Sequence, residues 1–187
     1  MQLFKTRLEI DLDEKQRLYE KIVYKHQFLL KNQYYFYSDN LNFSLNEDQY
    51  RGFTNHLTEF FINSSKEIFG DFNVNSGGRC YAYVSNTKEY HPKNRIHDHT
   101  KTCSINGVYY LNVPSSQSGM ISFYDGDDRE VYTYQPETFD LLIMPNFTKH
   151  YPHKSLTEEY RISINIEIFV NNWSEHYLLW HKNNFTK

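Results

Sequence analysis

The period of the hydrophobic pattern changes near residue 78. Before that position apolar residues recur at three- and four-residue spacings, and after it they alternate or cluster in short runs between turn residues. We therefore expect a helical support region at 1–77 and a β-rich core at 78–170. A chain of 187 residues is too short for two ordinary domains, so both are expected to belong to a single domain over residues 1–187. Residues 171–187 are expected to form a C-terminal tail with a final short helix.

Two helices are expected in the support region. A short strand-like opening at 2–10 precedes the first helix, which Asp11 or Asp13 can cap. Ser44 and Glu47 fit a capping box, with Ser44 as N-cap of the second helix and Glu47 at its third position. The first helix has an apolar face of Leu18, Ile22, Val23, Phe28 and Leu29, and the second has one of Tyr50, Phe53, Leu57, Phe60, Phe61 and Ile68.

The core region predicts short strands separated by turns that contain proline, glycine, asparagine and aspartate. Many short strands after a helical stretch favour a sandwich or barrel backed by helices, and hence a mostly β fold with flanking α-helices. The expected strands are 79–85, 106–113, 119–124, 130–134, 139–144 and 160–170.

Composition excludes several classes of protein. Aromatic residues make up 18% of the 187 residues, with 17 Tyr and 14 Phe, so a sizeable core can form and a disordered chain is excluded. No stretch of about 18 apolar residues is present, so we expect no membrane-spanning helix. The first residues contain no apolar segment typical of a secretory signal.

Charge and cysteine content narrow the partners and the compartment. A net charge of −3 gives no general attraction to nucleic acid or to an anionic membrane. The two cysteines, Cys80 and Cys103, are too few for a disulfide framework. We therefore expect a cytoplasmic protein whose thiols are inert.

The histidines give the first indication of chemistry. In an extended chain the side chains of His97 and His99 project to the same side, about 6 to 7 Å apart, and can reach one metal ion, while Asp98 points away. His150, placed shortly after an expected strand, can supply a third imidazole. His153 is a weaker candidate because it lies further from that strand.

A second feature follows the third histidine. Arg161 lies 11 residues after His150 and opens the last long strand, with Ser163 on the same face. A guanidinium fork beside a hydroxyl group suits a carboxylate at the far end of a small ligand. The order of these motifs along the chain indicates a metal site more strongly than either motif alone.

The constellation resembles the iron(II)- and 2-oxoglutarate-dependent oxygenases, particularly the prolyl-hydroxylase-like branch and its small bacterial and phage members. The likeness extends from Ile96 to Phe169. Besides the histidines and Arg161-x-Ser163, it includes the Tyr-Tyr-Leu-Asn sequence at 109–112, a Gly-x-Leu-x-Phe-like strand at 119–123, and the segment 136–143 that leads to the distal histidine.

The resemblance implies a fold, a reaction and a ligand set. The fold would be a double-stranded β-helix, a jelly-roll or cupin-like core flanked by helices. The activity would be hydroxylation of a protein side chain, a peptide or an amino acid, with O₂ consumed and 2-oxoglutarate decarboxylated to succinate. Fe(II) would be bound by His97, His99 and His150, and the 2-oxoglutarate cosubstrate by Arg161, Tyr110 and Ser163.

One position departs from the family. Most members have aspartate where this chain has His99, so that two imidazoles and one carboxylate bind the iron. All three histidines could bind the metal, which related small members with His-x-His favour. Alternatively Asp98 could reach the metal through a β-bulge, or His99 could leave an open position.

Two other functions fit the same residues. The first is a cupin-like dioxygenase with three histidine ligands and no 2-oxoglutarate, against which Arg161 and Tyr110 argue. The second is a non-enzymatic jelly-roll binding module whose histidines have no role in catalysis.

Overall fold

The computed structural model describes residues 4–34, 42–88, 95–115 and 118–171. The helix expected in the C-terminal tail therefore lies outside the described residues. The described helices are α1 (Leu12–Lys31) and α2 (Arg51–Phe69), the latter preceded by a 3-10 turn at Asp48–Tyr50. The strands are β1 (Phe4–Arg7), β2 (Asn42–Ser44), β3 (Asn73–Ser85), β4 (Ile105–Asn112), β5 (Ile121–Tyr124), β6 (Glu130–Tyr134), β7 (Asp140–Pro145), β8 (Lys149–Pro152) and β9 (Arg161–Asn171).

The start of α1 follows the sequence prediction, and the start of α2 does not. The Asp11 carboxylate caps α1 by accepting hydrogen bonds from the backbone N–H groups of Asp13 at 2.9 Å and Glu14 at 3.2 Å. The capping box predicted for the second helix is wrong, because Ser44 lies in β2 and pairs with a residue of β3. Its hydroxyl accepts a hydrogen bond from the N–H of Asn46 instead.

The strands form two antiparallel sheets. The larger sheet has the order β1-β7-β4-β9-β3-β2, and the smaller has the order β6-β5-β8. Strands β2 and β8 were not expected, and β3 begins at Asn73 rather than Arg79 because α2 ends at Gly70, whose φ is 79°. The antiparallel sheets confirm the predicted mostly β fold with flanking helices. Residues 1–77 also contribute β1, β2 and the start of β3 to the larger sheet.

One face of the larger sheet packs against the helices. Four isoleucines of β9 are fully buried there: Ile162, Ile164, Ile166 and Ile168. Gly107 of β4 lies so close to α2 that a Cβ atom would be 2.6 Å from a ring atom of Phe61. Neither described helix is long and apolar enough to cross a membrane.

The opposite face of the larger sheet is turned toward the smaller sheet. Tyr110 of β4 and Leu142 of β7 share a buried cluster with Phe123 of β5, so these side chains lie between the sheets. Because side chains alternate along a strand, the residues of β9 between the isoleucines share this face. They are all polar: Arg161, Ser163, Asn165 and Glu167.

Candidate metal centre

The backbone brings His97 and His150 together. Their main chains form an isolated bridge, in which the N–H of His97 donates to the carbonyl of His150 at 3.1 Å and the reverse bond is 2.9 Å. The N–H of His99 donates to the carbonyl of Asn146 at 2.6 Å, which holds this loop beside the turn before β8. His97, His99 and His150 each offer a ligand atom, and these atoms lie within 4.8 Å of one another.

Hydrogen bonds to Nδ1 orient all three rings. In His97 this nitrogen lies 2.8 Å from the carbonyl oxygen of Arg95, and in His150 it lies 3.0 Å from that of Thr148. A carbonyl oxygen can only accept, so each Nδ1 carries the proton and each Nε2 keeps its lone pair. The same tautomer follows for His99, whose Nδ1 lies 3.0 Å from a carboxylate oxygen of Glu167. Three imidazoles with free Nε2 atoms suit a divalent transition metal.

Burial and the neighbouring imidazoles lower the pKa values of His97 and His150 and so favour the neutral rings that a metal requires. The pKa of His150 is lowered to about 3, chiefly by burial and next by the neighbouring His97. Loss of hydration also lowers the pKa of His97. The exposure of the rings is graded, since His150 is buried, His99 half-buried and His97 exposed. The open side of the site is therefore at His97.

Asp98 has a different partner. Its carboxylate accepts hydrogen bonds from the hydroxyl of Thr100 at 2.7 Å and from the N–H of the same residue at 3.1 Å. These bonds hold the Asp98 side chain in the loop and lower its carboxyl pKa. The structure thus brings His99 beside the other two imidazoles and ties Asp98 to Thr100.

His153 lies apart from the three clustered imidazoles. Its Nε2 is 2.7 Å from the hydroxyl oxygen of Ser122, on the face of the smaller sheet opposite Phe123. Its carbonyl oxygen instead accepts a hydrogen bond from Nη1 of Arg161 at 3.2 Å. The residue therefore contributes its backbone to the position of Arg161.

Arg161 is a buried cation, and one of its N–H groups has no hydrogen-bond partner among the described residues. Its Nη1 also lies 3.4 Å from the carbonyl oxygen of Gly119, but Nε is buried without a hydrogen-bond partner in the described part of the chain. Burial lowers its pKa, because removing the charged guanidinium from water is unfavourable. A buried guanidinium held by two carbonyl groups is suited to receive an anion.

Tyr110 and Ser163 adjoin this cation. They pair in register across β4 and β9, and both are buried. Burial raises the pKa of Tyr110 to about 12, partly offset by the Arg161 charge that it faces, so its hydroxyl stays protonated and can donate. The structure therefore brings together Arg161, Ser163 and Tyr110, the three residues that the family resemblance assigns to the 2-oxoglutarate carboxylate.

Two more buried polar groups on the same face lack hydrogen-bond partners among the described residues. They are the hydroxyl of Ser85, opposite Arg161 in β3, and the whole amide group of Asn106, opposite Glu167 in β4. Buried polar groups are normally hydrogen-bonded. Together with Nε of Arg161, they are hydrogen-bonding groups on this face that a polar ligand or water can satisfy.

Sequence reasoning missed two residues of this face. Glu167 accepts hydrogen bonds from His99, from the hydroxyl of Thr102 at 3.1 Å and from the amide of Asn165 at 3.3 Å. The strict polar–apolar alternation Arg-Ile-Ser-Ile-Asn-Ile-Glu-Ile at 161–168 was the signal for them. It places Asn165 and Glu167 on the face of Arg161 and Ser163.

A second cluster of potential ligands shares His99. Cys103, Glu167 and His99 also offer ligand atoms within 4.8 Å of one another. Burial raises the pKa of the Cys103 thiol to about 12, so it is protonated at neutral pH, whereas a metal binds the thiolate. Because Glu167 already accepts the Nδ1 proton of His99 and the Cys103 thiol is protonated without a metal, we take the three imidazoles as the candidate metal centre.

Several solved structures resemble this chain over most of its length. A prolyl-4-hydroxylase from Pseudomonas putida superposes with a TM-score of 0.62 at 10% identity, over 91% of this chain and 88% of that one. A non-heme α-ketoglutarate-dependent carbocyclase of nogalamycin biosynthesis gives a TM-score of 0.62 at 10% identity, over 90% and 79% of the two chains. A 2-oxoglutarate–Fe(II) oxygenase-family oxidoreductase from Burkholderia pseudomallei gives 0.54 at 12%, over 71% and 61%.

Comparison of sequences gives no match, either to a protein-family model or to a curated protein. The structural likeness shows a shared fold, although only 10% of the residues are identical. This chain therefore has the double-stranded β-helix fold of the iron(II)- and 2-oxoglutarate-dependent oxygenases, as the resemblance of its motifs predicted.

Proposed function

We propose that this protein is an Fe(II)- and 2-oxoglutarate-dependent dioxygenase that hydroxylates a protein side chain, a peptide or an amino acid. The observation that carries the proposal is a cluster of three imidazoles with hydrogen-bonded Nδ1 atoms, together with a buried guanidinium whose Nε has no partner among the described residues. The two features serve the two ends of a small ligand that must bind both a metal and a cation. Either feature alone would support a less specific proposal.

The donor set fits Fe(II). Imidazole nitrogen is a ligand that iron accepts, and three protein ligands leave positions open for oxygen donors. His97, His99 and His150 would hold the ion through Nε2. When bound, Fe(II) supplies the activation of O₂, by which one oxygen atom enters the substrate as hydroxyl and the other enters succinate, with release of CO₂.

Arg161, Ser163 and Tyr110 would bind the remote carboxylate of 2-oxoglutarate. Nη1 of Arg161 is bonded to the carbonyl of His153, three residues beyond His150 and just after the end of β8, so the cation lies beyond that end of the strand that carries the His150 imidazole. The metal and the cation would then bind opposite ends of one small dicarboxylate.

Apolar side chains would shield the ligand from water. Ile121, Phe123, Leu142 and Met144 pack around Tyr110 between the two sheets, and all four are buried. In such surroundings the charged hydrogen bonds of Arg161 are stronger than in water. The open side at His97 is where a substrate would approach.

The net charge bears on the class of substrate, and the cysteines bear on the cellular compartment. A net charge of −3 argues against nucleic acid as the substrate. Cys80 and Cys103 are both buried free thiols, which supports a reducing cytoplasmic location.

Release of succinate tests the proposal. The protein is incubated with Fe(II), 2-oxoglutarate, O₂ and panels of amino acids and peptides, and succinate is measured against 2-oxoglutarate consumed. We expect metal-dependent succinate formation that Arg161→Ala abolishes. Absence of succinate in every panel, from protein with full metal occupancy, would contradict the proposal.

The neutral ligand set favours a second candidate, the three-histidine dioxygenase that does not use 2-oxoglutarate. The observation behind it is that Asp98 is bonded to Thr100 rather than turned to the imidazoles. O₂ consumption that needs metal but is indifferent to 2-oxoglutarate and to Arg161→Ala would establish this candidate.

A further inference from the structure

Among the described residues, Glu167 is the one side-chain carboxylate hydrogen-bonded to an imidazole of the cluster, that of His99. Its Oε1 lies 3.0 Å from Nδ1 of His99, and its residue is only 6% exposed. His97 and His150 direct their Nδ1 atoms to neutral backbone carbonyls instead. The three imidazoles are therefore not equivalent, because His99 is hydrogen-bonded to a carboxylate and the other two are hydrogen-bonded to backbone carbonyls.

Three further side chains surround the Glu167 carboxylate and fix its position. Thr102 and Asn165 donate to Oε1 at 3.1 and 3.3 Å, and Nη2 of Arg79 lies 3.9 Å from Oε2. Glu167 itself belongs to β9, which lies between β4 and β3 in the larger sheet. The paired strand fixes the backbone of Glu167, and the donors around Oε1 hold its carboxylate beside His99.

We infer that Glu167 is a positioning residue of the metal centre, which supplies through the ring of His99 the negative charge that an aspartate ligand would supply directly. The inference rests on the proposed function. It explains how a site with three neutral ligands can still stabilise iron electrostatically.

The physical basis is the polarisation of the imidazole. A carboxylate that accepts the Nδ1 proton fixes the ring orientation and makes Nε2 a more basic ligand. Its negative charge also stabilises Fe(III) more than Fe(II), because the interaction scales with the charge on the ion. Loss of the charge should therefore weaken metal binding and raise the midpoint potential of the iron.

The test compares Glu167→Gln with Glu59→Gln, an exposed position on α2 where the same charge is lost away from the site. Co(II) affinity is measured by competition with a chelator, and the Fe(III)/Fe(II) midpoint potential is measured without substrate. We expect Glu167→Gln to weaken Co(II) binding about 10- to 100-fold. A tenfold greater loss for Fe(III) than for Fe(II) raises the potential by about 59 mV. Glu59→Gln should change neither quantity.

Glu167→Asp separates charge from packing. This variant keeps the carboxylate but shortens it, so we expect a potential close to that of the native protein even where affinity falls. If both Glu167 variants lose affinity without any change in potential, the residue has only a structural role and the inference is wrong. Unchanged affinity and potential in Glu167→Gln would also overturn it.

The same experiment separates this inference from the proposed function. If the native protein binds neither Co(II) nor Fe(II), the proposed function fails and the inference fails with it. If the native protein binds both ions and Glu167→Gln behaves like Glu59→Gln, only the inference about Glu167 fails.

Discussion

Gly119 lies directly against the guanidinium group of Arg161. A Cβ atom at Gly119 would be 2.6 Å from Nη1 of Arg161 and 2.6 Å from the carbonyl oxygen of His153. Its φ of 98° is also one that residues with a side chain rarely adopt. The glycine therefore creates the space in which the proposed carboxylate-binding cation sits.

Gly119→Ala should displace Arg161 and weaken 2-oxoglutarate binding by about tenfold or more, equivalent to about 1.4 kcal/mol. The positive φ should also lower the free energy of unfolding by about 1 to 2 kcal/mol. Isothermal titration with 2-oxoglutarate and urea unfolding measure the two effects. Gly126→Ala is the matched control, because a Cβ atom there meets nothing within 4 Å. Unchanged 2-oxoglutarate affinity in Gly119→Ala would show that Arg161 does not bind the ligand.

His150→Ala should abolish stoichiometric metal binding. The imidazole of His150 is the buried member of the cluster, with ring centroids 4.4 Å from His97 and 5.3 Å from His99, so its loss removes one of three proposed ligands from the inner side of the site. Metal content after reconstitution and desalting measures the effect. His56→Ala, at an exposed position of α2, should keep full occupancy. Retained stoichiometric iron in His150→Ala would overturn the assignment of ligands.

Gly107 and Phe61 should show energetic coupling, because their contact joins β4 to α2. We expect Gly107→Ala to lower the free energy of unfolding by about 1 to 3 kcal/mol through overpacking. Phe61→Leu removes the ring atoms that the new methyl group would meet. The double variant should therefore lose less stability than the sum of the single variants, as measured by urea unfolding in a double-mutant cycle. Strict additivity would contradict the close packing of helix and sheet.

The two cysteines should react slowly in the folded protein. Burial raises the pKa of Cys80 to about 11 and that of Cys103 to about 12, and the thiolate is the reactive form. At pH 8 we expect negligible reaction with a chromogenic disulfide reagent in the native state and two thiols titrated after unfolding. Because both folded pKa values exceed the unfolded ones, the thiols stabilise the fold fully below about pH 8.5 and lose this contribution as pH rises toward 11 or 12. Rapid reaction of native protein at pH 8 would contradict the burial.

Much of the fold could be predicted because its signals are local. The alternation of 160–170 and the apolar spacing around Leu57 follow directly from strand and helix periods. The predicted capping box failed because Ser44 enters a sheet with β3, a long-range pairing that no local signal reports. β8 was missed for the same reason, since its four residues are a strand only through pairing with β5.

In the candidate site, too, local signals could be recognised and long-range contacts could not. His97, His99 and His150 were recognised by residue type and order, while the roles of their Nδ1 partners depend on the tertiary fold. The carboxylate partner of His99 lies 68 residues further along the chain, at Glu167. Spacing alone could not indicate this pair, although the alternation of β9 placed Glu167 on the inner face.

The most direct test of the central claim is an anaerobic titration of the metal-free protein, first with Fe(II) and then with 2-oxoglutarate, followed by visible absorption. We predict stoichiometric Fe(II) binding and then a saturable charge-transfer band on addition of 2-oxoglutarate. The band should be lost in Arg161→Ala while iron binding is retained. Iron binding without any band in the native protein would contradict the account and favour a dioxygenase that does not use 2-oxoglutarate. Failure to bind iron would leave a jelly-roll binding module.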